Sequence, residues 1–195
     1  MKLVIFIIGM FVCTVSSAAT YNIQLNGYIN DTSVAPLVKL LNSTTDKDVV
    51  YISITSPGGE VDAGDKVLRA MEATKAKKIA VVNDYAMSMA ALITIHADEV
   101  HITPKAILMF HVITAGGFYK FFGITVGEDE KCTIHSSLRC AEPREYIKSQ
   151  LPFIKTILTD VEIDLMQNGA DVYISGEELN KRNKHYILII NPTSI

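Results

Sequence analysis

Three short segments hold residue types that can do chemistry together. Ala86-Met87-Ser88-Met89-Ala90-Ala91 sets a serine hydroxyl among small and apolar neighbours where a helix begins. Met109-Phe110-His111 sets an imidazole at the end of an apolar, strand-like run, where a ring without a polar partner would be costly to bury. Ser56-Pro57-Gly58-Gly59 is a turn in which proline fixes one backbone angle and the glycines leave main-chain N–H groups open to an approaching anion. A serine hydroxyl is a weak nucleophile until a nearby base takes its proton, so Ser88 with His111 is the pair that covalent catalysis needs. Each segment also has a plainer use: Ser88 as a helix cap, His111 as a satisfied core residue, Pro-Gly-Gly as a tight turn. Only their combination favours chemistry.

The elements that must position these groups alternate between strand and helix. Asn22 to Ile29 alternates polar and apolar residues as a strand does, and Thr32 to Leu41 has the spacing of an amphipathic helix. Val49 to Ile54 is a compact β-branched run that stops at the Pro-Gly-Gly turn, and Val61 to Thr74 resumes helical spacing at Val61, Val67, Leu68 and Met71. Ile79 to Val82 reads as a buried strand, Met87 to His96 as a helix, Glu99 to Ile102 as a further strand, and the stretch from about Pro152 to Asn168 as another helix. The alternation predicts an α/β fold with a largely parallel sheet flanked by helices.

Composition narrows the possibilities further. The 195 residues fit one domain, and 49% hydrophobic content supplies a substantial core. A net charge of -3 with scattered basic residues gives no footprint for nucleic acid, so no such partner is expected. Neither CxxC nor HExxH spacing occurs, so no metal and no cofactor is expected. Lys2, the apolar run Leu3 to Val15 and the small residues Ser16-Ser17-Ala18-Ala19 have the layout of a secretory signal peptide. The expected organisation is therefore a signal over residues 1–19, a domain over residues 20–195, and export to a periplasmic or extracellular location. The alternative is a retained anchor, the one case in which a membrane is a partner, but the run is shorter than the roughly 20 residues that span a bilayer. Cys13, between Val12 and Thr14, sits in poor context for lipid attachment. Cys132 and Cys140 would remain as a pair for which an oxidising compartment permits a disulfide; the alternative is two unpaired thiols.

The stretch from Tyr51 to Gly117 resembles the proteolytic subunit of Clp protease, in the ClpP/crotonase superfamily. Its residues are Tyr51-Ile52-Ser53-Ile54-Thr55-Ser56-Pro57-Gly58-Gly59, then Ala86 to Ala91, then Met109-Phe110-His111 with Gly116-Gly117, in the family's order and spacing. Ile23-Gln24-Leu25-Asn26-Gly27 looks like the family's first strand, and Asp171-Val172-Tyr173-Ile174-Ser175 like the segment that holds its triad acid. The resemblance implies stacked ββα units and a serine endopeptidase in which Ser88 attacks, His111 is the base and Asp171 orients the imidazole. It also implies that the N–H groups of Gly59 and Met89 form the oxyanion hole, with a peptide or unfolded protein as substrate and a homo-oligomeric assembly. On spacing alone Asp160 and Asp164 stay open as the acid; the motif around Asp171 favours that residue.

The chain departs from the family where the signal segment runs almost directly into the first strand, leaving no segment to dock an ATP-driven unfoldase. It departs again between Gly117 and Pro152, where Phe121-Phe122-Gly123, two cysteines and Pro143 replace the family's ring-forming pattern. Other classes remain as alternatives. One is a noncatalytic crotonase-like binding or assembly domain. A second is an acyl-CoA enzyme of the crotonase type, which leaves Ser88 without a role. A third is a signal-peptide-peptidase-like serine-lysine protease, in which Lys105 or Lys120 would reach Ser88.

Overall fold

The computed structural model describes residues 17–115, 120–121, 124–125, 130–131, 141–183 and 186–189. Most of the segment expected to be a signal, Cys13, Gly116, Gly117, Cys132 and Cys140 lie outside the described residues. The elements in chain order are β1 (Thr20–Asn26), α1 (Asp31–Leu41), β2 (Val49–Ser56), α2 (Val61–Ala73), β3 (Lys77–Met87), α3 (Met89–Ile95), β4 (Glu99–Ile102) and β5 (Ile107–Phe110). Four two-residue strands follow: β6 (Thr114–Ala115), β7 (Lys120–Phe121), β8 (Ile124–Thr125) and β9 (Glu130–Lys131). The chain then continues through α4 (Ala141–Ile154), α5 (Asp160–Gln167), β10 (Val172–Ser175), α6 (Gly176–Arg182) and β11 (Tyr186–Leu188).

The fold is α/β, with a largely parallel sheet flanked by helices. Strand order is β1-β2-β3-β4-β11, and every pairing along that path is parallel. Ile79 to Val82 of β3 are buried without interruption, as expected of a strand covered on both faces, whereas β2 alternates, with Val50, Ile52 and Ile54 buried and Tyr51 and Ser53 partly exposed. The strand predicted over Ile79 to Val82 is longer than its apolar core. It runs on through Asn83, Asp84 and Tyr85 to Met87, and in doing so it changes partners. Ile79 to Val82 pair with Glu99 to Ile102 of β4, whereas Tyr85 to Met87 pair with Ile107 to Met109 of β5. Beyond β5 lies β10, joined antiparallel with Val172 opposite Phe110.

Two helices differ from their predicted spans for local reasons. The helix expected from Met87 begins at Met89, because Met87 still belongs to β3. The single helix expected over about 152–168 is two. Ile154 ends α4, and α5 restarts behind a capping box in which Thr159 Oγ1 accepts from the Glu162 N–H and the Glu162 carboxylate accepts from the Thr159 N–H. Asn30 and Ser33 form the equivalent box at the start of α1. Helix α2 packs on α1 and α3, and α3 also meets α4 and strands β2, β3 and β5, so the short buried helix after Ser88 is enclosed by helices and sheet.

Candidate active site

Sheet register alone brings the three candidate triad residues to one place. Ser88 directly follows β3, His111 directly follows β5, and Asp171 directly precedes β10. The β3–β5 pairing ends with Met87 beside Met109, and the Ser88 N–H extends it by donating to the Met109 carbonyl at 2.8 Å. The β5–β10 pairing places Phe110 opposite Val172, so one step further along the antiparallel ladder His111 faces Asp171.

Ser88 occupies the cap position of α3, but it does not cap. Its backbone has φ 55° and ψ -123°, and Ser88 is the only non-glycine residue with positive φ among those described. Such a conformation costs about 1–3 kcal/mol and persists only where its surroundings hold it. Here the strand hydrogen bond to Met109 holds one side, and α3 takes over on the other as the Ala91 and Leu92 N–H groups donate to the Ser88 carbonyl. The sharp strand-to-helix turn lifts the side chain away from the helix end. Its Oγ makes no cap bond and instead lies 2.7 Å from His111 Nε2.

The Pro-Gly-Gly turn lies directly against this elbow. A Cβ built on Gly58 would fall 2.7 Å from both the Met87 carbonyl oxygen and Ser88 Cβ, and 3.1 Å from the Met89 nitrogen, at a φ of +94°. Only glycine allows that approach. Gly59 bridges to Ile29: the Ile29 N–H donates to the Gly58 carbonyl and the Glu60 N–H to the Ile29 carbonyl, both at 2.9 Å. In a parallel bridge of this kind the N–H of Gly59 itself points away from Ile29. Among the described residues neither the Gly59 nor the Met89 N–H has an acceptor. The main-chain donors expected at these positions are thus unspent. The Met89 side chain is pinned elsewhere, since a Cβ on Gly64 of α2 would come within 2.2 Å of Met89 Cγ.

The other side of the imidazole is looser. Asp171 Oδ1 is 4.0 Å from His111 Nδ1, close enough for charge to act but too far for a hydrogen bond. The same oxygen accepts from Lys131 Nζ at 2.8 Å, and Lys131 also donates to the Gly169 carbonyl at 3.0 Å. Of the three acids open on spacing, only Asp171 approaches a His111 ring nitrogen; Asp160 and Asp164 sit exposed on α5, where Asp164 is bonded to Asn168. Burial holds the His111 pKa below the ordinary histidine value, attraction by Asp171 works against that, and the Lys131 charge adds to it. Burial thus favours the neutral ring, the form that a general base would need.

Lys131 is the member that sequence reasoning missed. It stands in a polar stretch next to Cys132, 40 residues from Asp171, and carries no local signal. Lys105 lies before Ile107, which pairs with Tyr85 three residues ahead of Ser88, so it sits toward the far end of β5 from the nucleophile. The side chain of Lys120 lies outside the described residues. Among the described residues no group of three or more His, Cys, Asp and Glu gathers as a metal site would require.

Residues 21–117 match the NfeD1b N-terminal domain. The matching family model is described as NfeD1b, N-terminal domain, and it covers just under half of the 195 residues. The model is named for NfeD1b and not for the Clp protease proteolytic subunit, so the match supports the resemblance drawn from the motifs only in part. The NfeD1b match includes Gly59, Ser88, Met89 and His111, and it stops before Lys131, Tyr146 and Asp171. No curated protein matches the chain. No helix among the described residues is long and apolar enough to cross a membrane.

Proposed function

We propose that the chain is an exported serine endopeptidase that hydrolyses peptide bonds in peptides or unfolded proteins through an acyl-enzyme on Ser88. One observation carries this proposal. A serine at a helix-cap position gives up the cap bond, adopts a left-handed backbone and offers its Oγ to His111 Nε2 at 2.7 Å. A structural serine would gain from capping, and Ser88 forgoes that bond.

In the proposed reaction Ser88 Oγ attacks the scissile carbonyl carbon while His111 Nε2 takes the hydroxyl proton. The developing oxyanion lies against the N–H groups of Gly59 and Met89. The proton passes from His111 to the leaving amine, and water, activated by the same ring, releases the acyl group. Asp171 stabilises the imidazolium by charge across 4.0 Å. No step uses ATP, and the proposal includes no unfoldase partner; assembly into a homo-oligomer belongs to it as an expectation carried over from the Clp protease resemblance.

The test is labelling of the full chain and its Ser88→Ala variant with a fluorophosphonate probe, together with cleavage of an unfolded casein-like substrate. Wild type should label and cleave, and the variant should do neither. Equal labelling of the two chains sinks the proposal and returns the fold to a noncatalytic binding or assembly role.

A further inference from the structure

Beside Ser88 the structure holds one small, almost wholly apolar pocket. Ser88 and His111 stand at its mouth, and Phe110, Leu92, Ile154 and Met166 form walls that belong to the core. Its volume is about 30 Å³, well below the roughly 150 Å³ of an apolar cavity that takes up benzene. A methyl group enters such a space readily. A phenyl ring does not fit without displacing a wall.

The walls differ in how far they can yield. Phe110, Ile154 and Met166 are at most 2% exposed and fixed by core packing. Met89 is wedged against Gly64. Tyr146, on α4, is different: it is half-buried, and among the described residues its hydroxyl has only the Met89 sulfur as a partner, at 4.0 Å. A thioether is a weak acceptor, so little beyond ring packing fastens Tyr146 in place. It is the largest pocket-lining side chain that is not locked in the core. Val61 and Ile113 share its partly exposed position but are smaller.

We infer that Tyr146 sets the size of side chain accepted next to the scissile bond, and that the substrate class is peptides with alanine or a similarly small apolar residue at that position. The inference rests on the serine-peptidase proposal, because the pocket matters only if an acyl group forms on Ser88. The acyl carbon attached to Ser88 Oγ would carry its side chain toward the nearest cavity that both Ser88 and His111 border. Excess bulk in a closed apolar site is costly: a single methylene in such a pocket is worth about 10- to 200-fold in kcat/KM.

The experiment uses tripeptide aminocoumarins Ala-Ala-X, with X as Ala, Val, Leu or Phe, on the full chain. Wild type should prefer Ala over Phe by about tenfold or more in kcat/KM. Tyr146→Ala should lower that ratio by about tenfold or more, chiefly through faster turnover of the Phe substrate, while Tyr146→Phe, which keeps the ring, should retain the wild-type order. Should Tyr146→Ala fail to fold, seen as a lost melting transition, Tyr146→Leu tests the same shift with a packed side chain, and the wild-type ranking stands as a test without any variant. Ser88-dependent turnover that favours Phe, or that Tyr146 substitution leaves unranked by size, overturns this inference alone. Absence of Ser88-dependent turnover for every X overturns the peptidase proposal and the inference with it.

Discussion

The two ring nitrogens of His111 face regions built in different ways. On the Nε2 side, Ser88 is held by a β3–β5 strand bond, by the start of α3 and by the close approach of Gly58, and the hydrogen bond to the ring is 2.7 Å. On the Nδ1 side, Asp171 is exposed, stands 4.0 Å off and shares its oxygen with Lys131. The first region is over-determined by backbone, the second is set by exposed charged side chains. Backbone placement survives changes of salt and pH, whereas an exposed ion pair is worth only about 0–1 kcal/mol and can be exchanged for another partner. In the proposed reaction the nucleophile and its base are therefore built in, and the acid is adjustable.

The largest expected effect comes from breaking the rigid side. Gly59→Val would place a Cβ 2.2 Å from the Ile29 carbonyl oxygen at a backbone angle that valine avoids, so the loop must move. With one oxyanion donor displaced, turnover should fall about 10²- to 10³-fold, while fluorophosphonate labelling falls with it. A Gly59→Val chain with wild-type turnover would show that this N–H takes no part. Substitution at Met89 is less simple than its main-chain role suggests. Because its side chain lies against Gly64 and lines the pocket, only an unbranched or volume-matched apolar residue should be tolerated there.

A smaller effect is expected on the loose side. A triad acid hydrogen-bonded to the imidazole is worth about 10⁴-fold in kcat. Asp171 makes no such bond, so Asp171→Asn should cost no more than about fivefold, the contribution of a charge worth about 0–1 kcal/mol across solvent-accessible space. The measurement is kcat for the aminocoumarin substrate that wild type turns over best. A loss near 10⁴-fold would mean that Asp171 swings onto Nδ1 when substrate binds, and that the two sides differ less than their resting geometry indicates.

What the sequence made legible divides along the same line. Ser88, His111 and the Pro-Gly-Gly turn were readable because each lies in a short run whose composition reflects its own backbone: small residues at the elbow, β-branched residues before the turn, an apolar strand before the histidine. The parallel sheet was readable from the alternation of elements for the same reason. Lys131 and Tyr146 were not, because their roles depend on contacts across 40 and 57 residues and neither stands in a motif. The extension of β3 was hidden by the polar pair Asn83-Asp84, which tertiary pairing with β5 overrides. The break between α4 and α5 was a signal left unread: Thr159-Asp160-Val161-Glu162 is a capping box in plain sequence.

The smallest expected effect sharpens the comparison by tightening the loose side. Lys131→Met removes the positive charge that helps hold the His111 pKa down and frees the Asp171 oxygen to turn toward Nδ1. Both changes favour the charged ring, so the pKa of His111 should rise. Because only the neutral ring can accept the Ser88 proton, activity is lost as pH falls through that pKa, and the acid limb of kcat/KM should move to higher pH in the variant. In wild type the limb should lie below the ordinary histidine value of about 6.5. The direction separates two roles for Lys131. If it only supports the Gly169 turn structurally, stability changes while the limb stays in place; if it tunes the base through Asp171, the limb moves up. A limb that moves down would mean that Lys131, not burial, keeps Asp171 within reach of the ring, and the acid would then be held in place by the residue that competes for it.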